Sequence, residues 1–153
     1  MYRNDSEFHE LSALVSDCGA NSQPIHPDSV YTDEAPIYTV FIALQDITHK
    51  MGPTIFLPNT NNQSCHDQHK NASTKDAFLN QCEFRESLLK KGDGAIMGSR
   101  SLHCGSENNK CRRSLFYMTL RRPSYFHDCN PPIPVGSKWA GLDLNIFDFF
   151  SLF

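Results

Sequence analysis

Nine prolines and eight glycines punctuate the 153 residues and leave only short stretches between them. Proline fixes φ and removes a backbone donor, and glycine supplies the conformations of tight turns, so such spacing cuts helices short and bounds strands. The segments between the breaks are β-rich, which predicts a sandwich or barrel rather than a helical bundle. The clearest strand runs from Ile37 to Gln45, with Ile37, Thr39, Phe41 and Ala43 on one face and Tyr38, Val40, Ile42 and Leu44 on the other. Both faces read as largely buried. Thr54 to Leu57, held between Gly52-Pro53 and Pro58, is a shorter strand, and Ala95 to Met97 follows the turn-like Gly92-Asp93-Gly94. Ser114 to Leu120 is the last convincing strand, while Phe8 to Val15 fits a strand or a short helix equally well.

One helix is predicted, from Lys75 to Lys91, with Phe78, Cys82, Leu88 and Leu89 as the apolar stripe that packs on the sheet. Cys65, His66 and His69 precede it in what reads as a polar loop, and together with Cys82 they match no zinc-finger spacing. Beyond Arg122 the prolines at 123, 131, 132 and 134 predict irregular chain, ending in an apolar tail with Phe147, Phe149, Phe150 and Phe153. No repeat or linker divides the sequence. It reads as one domain, residues 1–153, with a core of about 8–121 and an irregular C-terminal extension over 122–153.

A chain of this length buries ~68–70% of its unfolded surface and does not need disulfides. Its six cysteines form no CxxC pair and read as free thiols. Charged residues make up 20% and the net charge of -3 is spread without a basic block, so nucleic acid is not an expected partner. The polar stretch Met1 to Glu10 lacks the apolar core of a secretory signal, and no run is long enough to span a membrane. A cytoplasmic protein is the expectation.

His26-Pro27-Asp28 puts an imidazole and a carboxylate two residues apart, a spacing that in extended chain sets both on one face. Alone the triplet is a weak signal. It gains weight from His103, and from Arg112 nine residues further on, with Ser114 two residues beyond on the same face. Two His and one carboxylate form a facial triad that leaves open positions on Fe(II), enough for a bidentate 2-oxo acid and dioxygen. The far carboxylate of such an acid calls for a planar, permanently charged fork, which Arg supplies, and a neighbouring hydroxyl can join it.

Three strings extend the pattern: Gln23-Pro-Ile-His26-Pro-Asp28, Tyr38 to Asp46, and Met51-Gly-Pro-Thr-Ile-Phe-Leu-Pro58. Together with Gly92-Asp93, Ser99-Arg-Ser-Leu-His103-Cys-Gly105 and Arg112-Arg-Ser-Leu-Phe-Tyr117, they resemble the core of phytanoyl-CoA dioxygenase-like proteins, in order, over residues 8 to 121. The resemblance implies a double-stranded β-helix of two facing antiparallel sheets with at least one flanking helix. His26, Asp28 and His103 are then the iron ligands, and Arg112 with Ser114 binds 2-oxoglutarate. Arg113 is the alternative to Arg112, because a one-residue change of register exchanges the two faces of a strand.

The implied activity is Fe(II)- and 2-oxoglutarate-dependent hydroxylation of a small or lipid-like substrate, with dioxygen consumed. The sequence departs from the family in two respects. Members are usually about twice as long, with a helical region ahead of the sheet, whereas 25 residues precede His26 here. Many relatives also carry a His after the Pro-Gly turn, where this chain reads Pro58-Asn-Thr-Asn61. The short region ahead of His26 leaves an alternative reading, a shortened, catalytically silent homologue that binds a ligand or a partner.

Overall fold

A computed structural model describes residues 7–33 and 37–121. Seven strands and two helices follow in chain order: β1 (Glu7–Ser16), β2 (Tyr38–Ala43), β3 (Thr54–Phe56), α1 (Gln63–Lys70), α2 (Lys75–Leu79), β4 (Arg85–Glu86), β5 (Gly94–Gly98), β6 (His103–Gly105) and β7 (Arg113–Arg121). A four-stranded sheet has the order β1-β7-β2-β5 and a three-stranded one β4-β3-β6, with every pairing antiparallel. His26 extends the smaller sheet as an isolated antiparallel bridge to His103. The chain thus passes from the large sheet to the small one and back repeatedly. That alternation of antiparallel layers is the winding of a double-stranded β-helix, and the mainly β fold follows the expectation.

β1 is a strand, which resolves the ambiguity over Phe8 to Val15. It pairs along its whole length with β7, from Glu7 opposite Arg121 to Ser16 opposite Arg113, through a bulge between Phe8 and Glu10. Paired residues share a face, so the inner surface of the large sheet can be read row by row. Glu10, Thr119 and Thr39 form one row, Ser12, Tyr117 and Phe41 the next, then Leu14, Leu115 and Ala43, and finally Ser16 with Arg113. The middle of this surface is apolar and both ends are polar.

Phe41, Ala43, Ile47, Met97 and Leu115 fill the space between the sheets, with Phe56, Leu89 and Tyr117 packed against them. On β2 the inner residues Thr39, Phe41 and Ala43 are buried, but Tyr38, Val40 and Ile42 are only half-covered and Leu44 is exposed. The expectation that both faces of this strand are largely buried holds in full for one face, while the other is partly covered from Tyr38 to Ile42 and open at Leu44. A second cluster, Leu57, Phe78 and Leu102 with Ile25, Ile55, Cys65, Leu79 and Cys82 around it, joins the two helices to the outside of the small sheet.

The helical segment differs from the sequence expectation. The predicted helix from Lys75 to Lys91 ends at Leu79, and the chain then turns into β4. Phe78 and Cys82 pack in the cluster outside the small sheet while Leu89 packs between the sheets, so the four apolar residues never formed a single stripe. The supposed polar loop ahead of it is helix α1, capped by Asn62, whose side chain accepts from the Cys65 amide at 3.1 Å. His66 is the residue α1 buries, through a ring hydrogen bond of 2.7 Å with the Arg100 carbonyl. The five described cysteines are free, as expected. The apolar tail predicted beyond Arg122 lies outside the described residues. No helix among them is long and apolar enough to cross a membrane.

Candidate metal centre

His26 and His103 are brought together by their own backbones. Each donates its amide to the other's carbonyl at 2.9 Å, and the rings face each other with centroids 4.6 Å apart. His103 opens β6 and is held from the other side by Phe56 of β3. His26 is not part of a strand; the bridge sets it, with the Gln23 amide bonded to the Gly105 carbonyl at 2.9 Å before it and the Ser29 amide bonded to the Ser99 carbonyl at 3.0 Å just beyond Asp28.

Each imidazole is oriented by a carbonyl two residues earlier in sequence. The Nδ1–H of His26 donates to Pro24 at 2.8 Å and that of His103 to Ser101 at 3.0 Å. With Nδ1 protonated, the Nε2 lone pairs are left for a ligand, and both point at Asp28. Asp28 Oδ1 lies 3.8 Å from Nε2 of His26 and 3.5 Å from Nε2 of His103. The three donor atoms fall within 4.8 Å of one another, and among the described residues no other group of three His, Cys, Asp or Glu side chains does so. Separations of this size let all three reach one ion at ~2.0–2.2 Å. Burial disfavours the charged form of His103, but the hydrogen bond and charge of Asp28 and the Ser101 carbonyl outweigh it and raise its pKa. A proton or a cation is thus what the carboxylate and two imidazoles attract.

The triad lies in the wall of a cavity of about 420 Å³ between the sheets, lined also by Glu10, Ser12, Phe41, Arg113 and Tyr117. Its size is within the range of small-molecule sites. Phe41 and Tyr117 pack at a tilt of 59°, with ring centroids 5.5 Å apart, and form the apolar part of the wall.

Of the two arginines between which the sequence left a choice, the structure turns Arg113 inward and Arg112 outward. Arg112 is exposed, bonding through Nε to Asp17 Oδ1 at 2.6 Å, and does not line the cavity. Ser114 lies on the same outward side, its amide bonded to Gln45, and does not line the cavity either. The physical reason is register: Arg113 pairs with Ser16 in the inward row, so its sequence neighbours point out. Arg113 is only 4% exposed, and burial disfavours its charge. One terminal nitrogen donates to the Gly52 carbonyl, Nε has no hydrogen-bond partner, and no carboxylate among the described residues pairs with it.

Tyr117 and Glu10 are cavity residues that the sequence pattern does not single out. Tyr117 was visible only as part of the last strand, and Glu10 carried no signal beyond lying in a segment of undecided type. The Tyr117 hydroxyl faces Glu10 and Thr39, and burial, reinforced by the charges of Glu10 and Asp28, pushes its pKa up to about 12. It is a neutral hydrogen-bonding group at any ordinary pH.

The donor set fits a divalent iron. Two neutral imidazoles and one carboxylate with further positions open are the ligands of non-haem Fe(II) oxygenases, whereas structural zinc sites are closed by four protein ligands. The unpaired, buried guanidinium in the same cavity fits the far carboxylate of a 2-oxo acid.

A family model described as phytanoyl-CoA dioxygenase matches residues 3–114. Comparison with curated proteins gives no match. Among solved structures, the chain is similar to AviO1 from Streptomyces viridochromogenes Tue57, with TM-score 0.63 and 16% identity over 84% of this chain and 54% of that one. It is similar also to EctD from S. alaskensis with bound Fe, with TM-score 0.64 and 10% identity over 79% of this chain and 46% of that one. A third is the non-haem alpha ketoglutarate dependent carbocyclase SnoK from nogalamycin biosynthesis, with TM-score 0.61 and 16% identity over 76% and 50% of the two chains. At these identities the likeness is one of fold. The chain spans about half the length of these structures.

Proposed function

The chain belongs to the phytanoyl-CoA dioxygenase family, and from that membership we propose that it is a non-haem oxygenase that uses Fe(II) and 2-oxoglutarate to hydroxylate a small organic substrate. One observation carries the reading: the triad of His26, Asp28 and His103 opens into the same cavity as a buried guanidinium with no counter-ion among the described residues. His26, Asp28 and His103 are the metal ligands, and Arg113 is the anchor for 2-oxoglutarate.

The bound iron and 2-oxo acid supply the oxidising power for hydroxylating a C–H bond, with dioxygen consumed and succinate and carbon dioxide released. The protein's share is positioning. Pro24 and Ser101 hold the two imidazoles in the tautomer that presents Nε2, so no reorientation is needed on metal binding. The Gly52 carbonyl fixes one arm of the Arg113 guanidinium and leaves the rest of the fork to the cosubstrate. Phe41 with Leu115 behind it keeps water from that side of the cavity. The mixed walls, with Glu10, Ser12 and Gln23 among them, suit a compact polar molecule better than an acyl chain.

The test is metal binding and succinate release by the native chain with Fe(II), ascorbate and 2-oxoglutarate. His103→Ala is expected to abolish metal binding and turnover together. Arg113→Ala should keep the metal and lose 2-oxoglutarate affinity by ~10-fold or more, as a desolvated charge-assisted pair is worth ~1.5–3 kcal/mol. Arg112→Ala should leave both unchanged. A folded native chain that binds no metal would overturn the proposal, and metal with 2-oxoglutarate bound but no succinate released would indicate a silent binding protein instead.

A further inference from the structure

Once the triad holds a metal and Arg113 a diacid, one ionisable side chain of the inner wall is left without a charge partner. This is Glu10. It lines the cavity, and no ion pair engages it among the described residues. Asp17, the other acid at the cavity's edge, is already bound to Arg112. Glu10 sits opposite Thr119, six residues along β7 from Arg113, so at ~3.4 Å per residue their backbone positions are ~20 Å apart. That is further than a five-carbon diacid extends. The cavity therefore has a cationic end and an anionic end, with the metal ligands in the same wall.

Hydroxyl groups surround the anionic end. Ser12 Oγ approaches Glu10 Oε1 at 3.4 Å, and the Tyr117 hydroxyl faces the same carboxylate. Thr119, cross-strand partner of both Glu10 and Thr39, is 4% exposed, and its hydroxyl oxygen has no hydrogen-bond partner. A carboxylate has about four acceptor sites, and the single long contact from Ser12 with the approach of Tyr117 leaves acceptor capacity unused. Thr119 lies in the same row but is not in the cavity wall, so the open polar capacity that faces a ligand is that of Glu10.

We propose that Glu10, with Ser12 and Tyr117 beside it, is the substrate-recognition site of the cavity, and that the substrate is a small molecule carrying a protonated amine. The inference rests on the oxygenase reading for what happens to that molecule, but not for its binding. A phosphate-bearing substrate would place its negative charge against Glu10. An ammonium placed there is held by a partly desolvated carboxylate, with the hydroxyls free to turn their oxygens toward its remaining N–H groups.

Calorimetric titration of the full chain with cyclohexylamine and with cyclohexanol, probes of one shape that differ in charge at neutral pH, tests this directly. The titrations are run with and without Zn(II) and 2-oxoglutarate. The ammonium is expected to bind ~10-fold or more tightly than the alcohol, equivalent to ~1.4 kcal/mol, and Glu10→Gln should abolish the preference. In the native protein that preference should shrink with added salt, which keeps the test decisive even if the variant does not fold. Equal binding of the two probes, no ammonium binding at millimolar concentration, or a preference that survives Glu10→Gln or high salt would each overturn it. Failure of the oxygenase reading would show separately, as absent metal or 2-oxoglutarate binding with the ammonium preference intact.

Discussion

Tyr117 holds its proton because it is buried between two carboxylates and the apolar wall, and its pKa is about 12 against an ordinary value near 10. The sign follows from proton counting. The native state keeps this proton to higher pH than the unfolded chain, so its contribution to stability is complete below pH ~10 and is lost as pH rises from there to ~12. An ultraviolet titration of the tyrosines should show one group ionising well after the rest, and Tyr117→Phe should remove that late step while leaving the others. The same residue shows the limit of reading a strand from sequence. Leu115 and Tyr117 alternate with Phe116 and Met118, so both faces of β7 are apolar enough that pattern does not fix which way Arg112 and Arg113 point. Pairing with Ser16 fixes it. By contrast, His26, Asp28 and His103 were legible, because the order of the surrounding strings constrains them together, and the structure brings the three donor atoms into one cluster.

At the scale of elements, turns and pairing explain what the sequence disclosed and what it hid. Alternating β-branched and apolar residues between Gly and Pro revealed β2, β3, β5 and β7 to within a few residues. β6 is three residues long, His103–Gly105, and has no pattern of its own; it is a strand because β3 and His26 flank it. Helix α1 escaped for the opposite reason, since Gln63–Lys70 is polar almost all round and is anchored by one buried histidine and a cap. The turn at Gly52 is the element on which the site most depends. Its φ is +68°, and a Cβ there would meet the Ser106 carbonyl oxygen at 2.7 Å. Gly52→Ala is therefore expected to cost ~1–3 kcal/mol, measured from the denaturant midpoint. It should also weaken 2-oxoglutarate binding, because the displaced carbonyl is the one that holds Arg113.

For the molecule as a whole, two antiparallel layers with an apolar filling between them could be inferred from the density of turns and the strand pattern, and the family resemblance named their winding. What could not be inferred is which polar residues the winding would gather at the two ends of the cavity, since Glu10 and Arg113 are remote in sequence and meet one surface only through the β1–β7 register. The bridge between His26 and His103 has a further consequence. Because the two histidines exchange backbone hydrogen bonds, their amide protons are shielded by one and the same contact, and the small sheet's outermost rung opens or closes as a unit. Hydrogen exchange at these two amides should slow in parallel when Zn(II) is added and recover in parallel with a chelator, while the amide of Thr119 in β7 keeps its rate. The backbone of this protein would thereby report, at two addresses at once, whether its metal is in place.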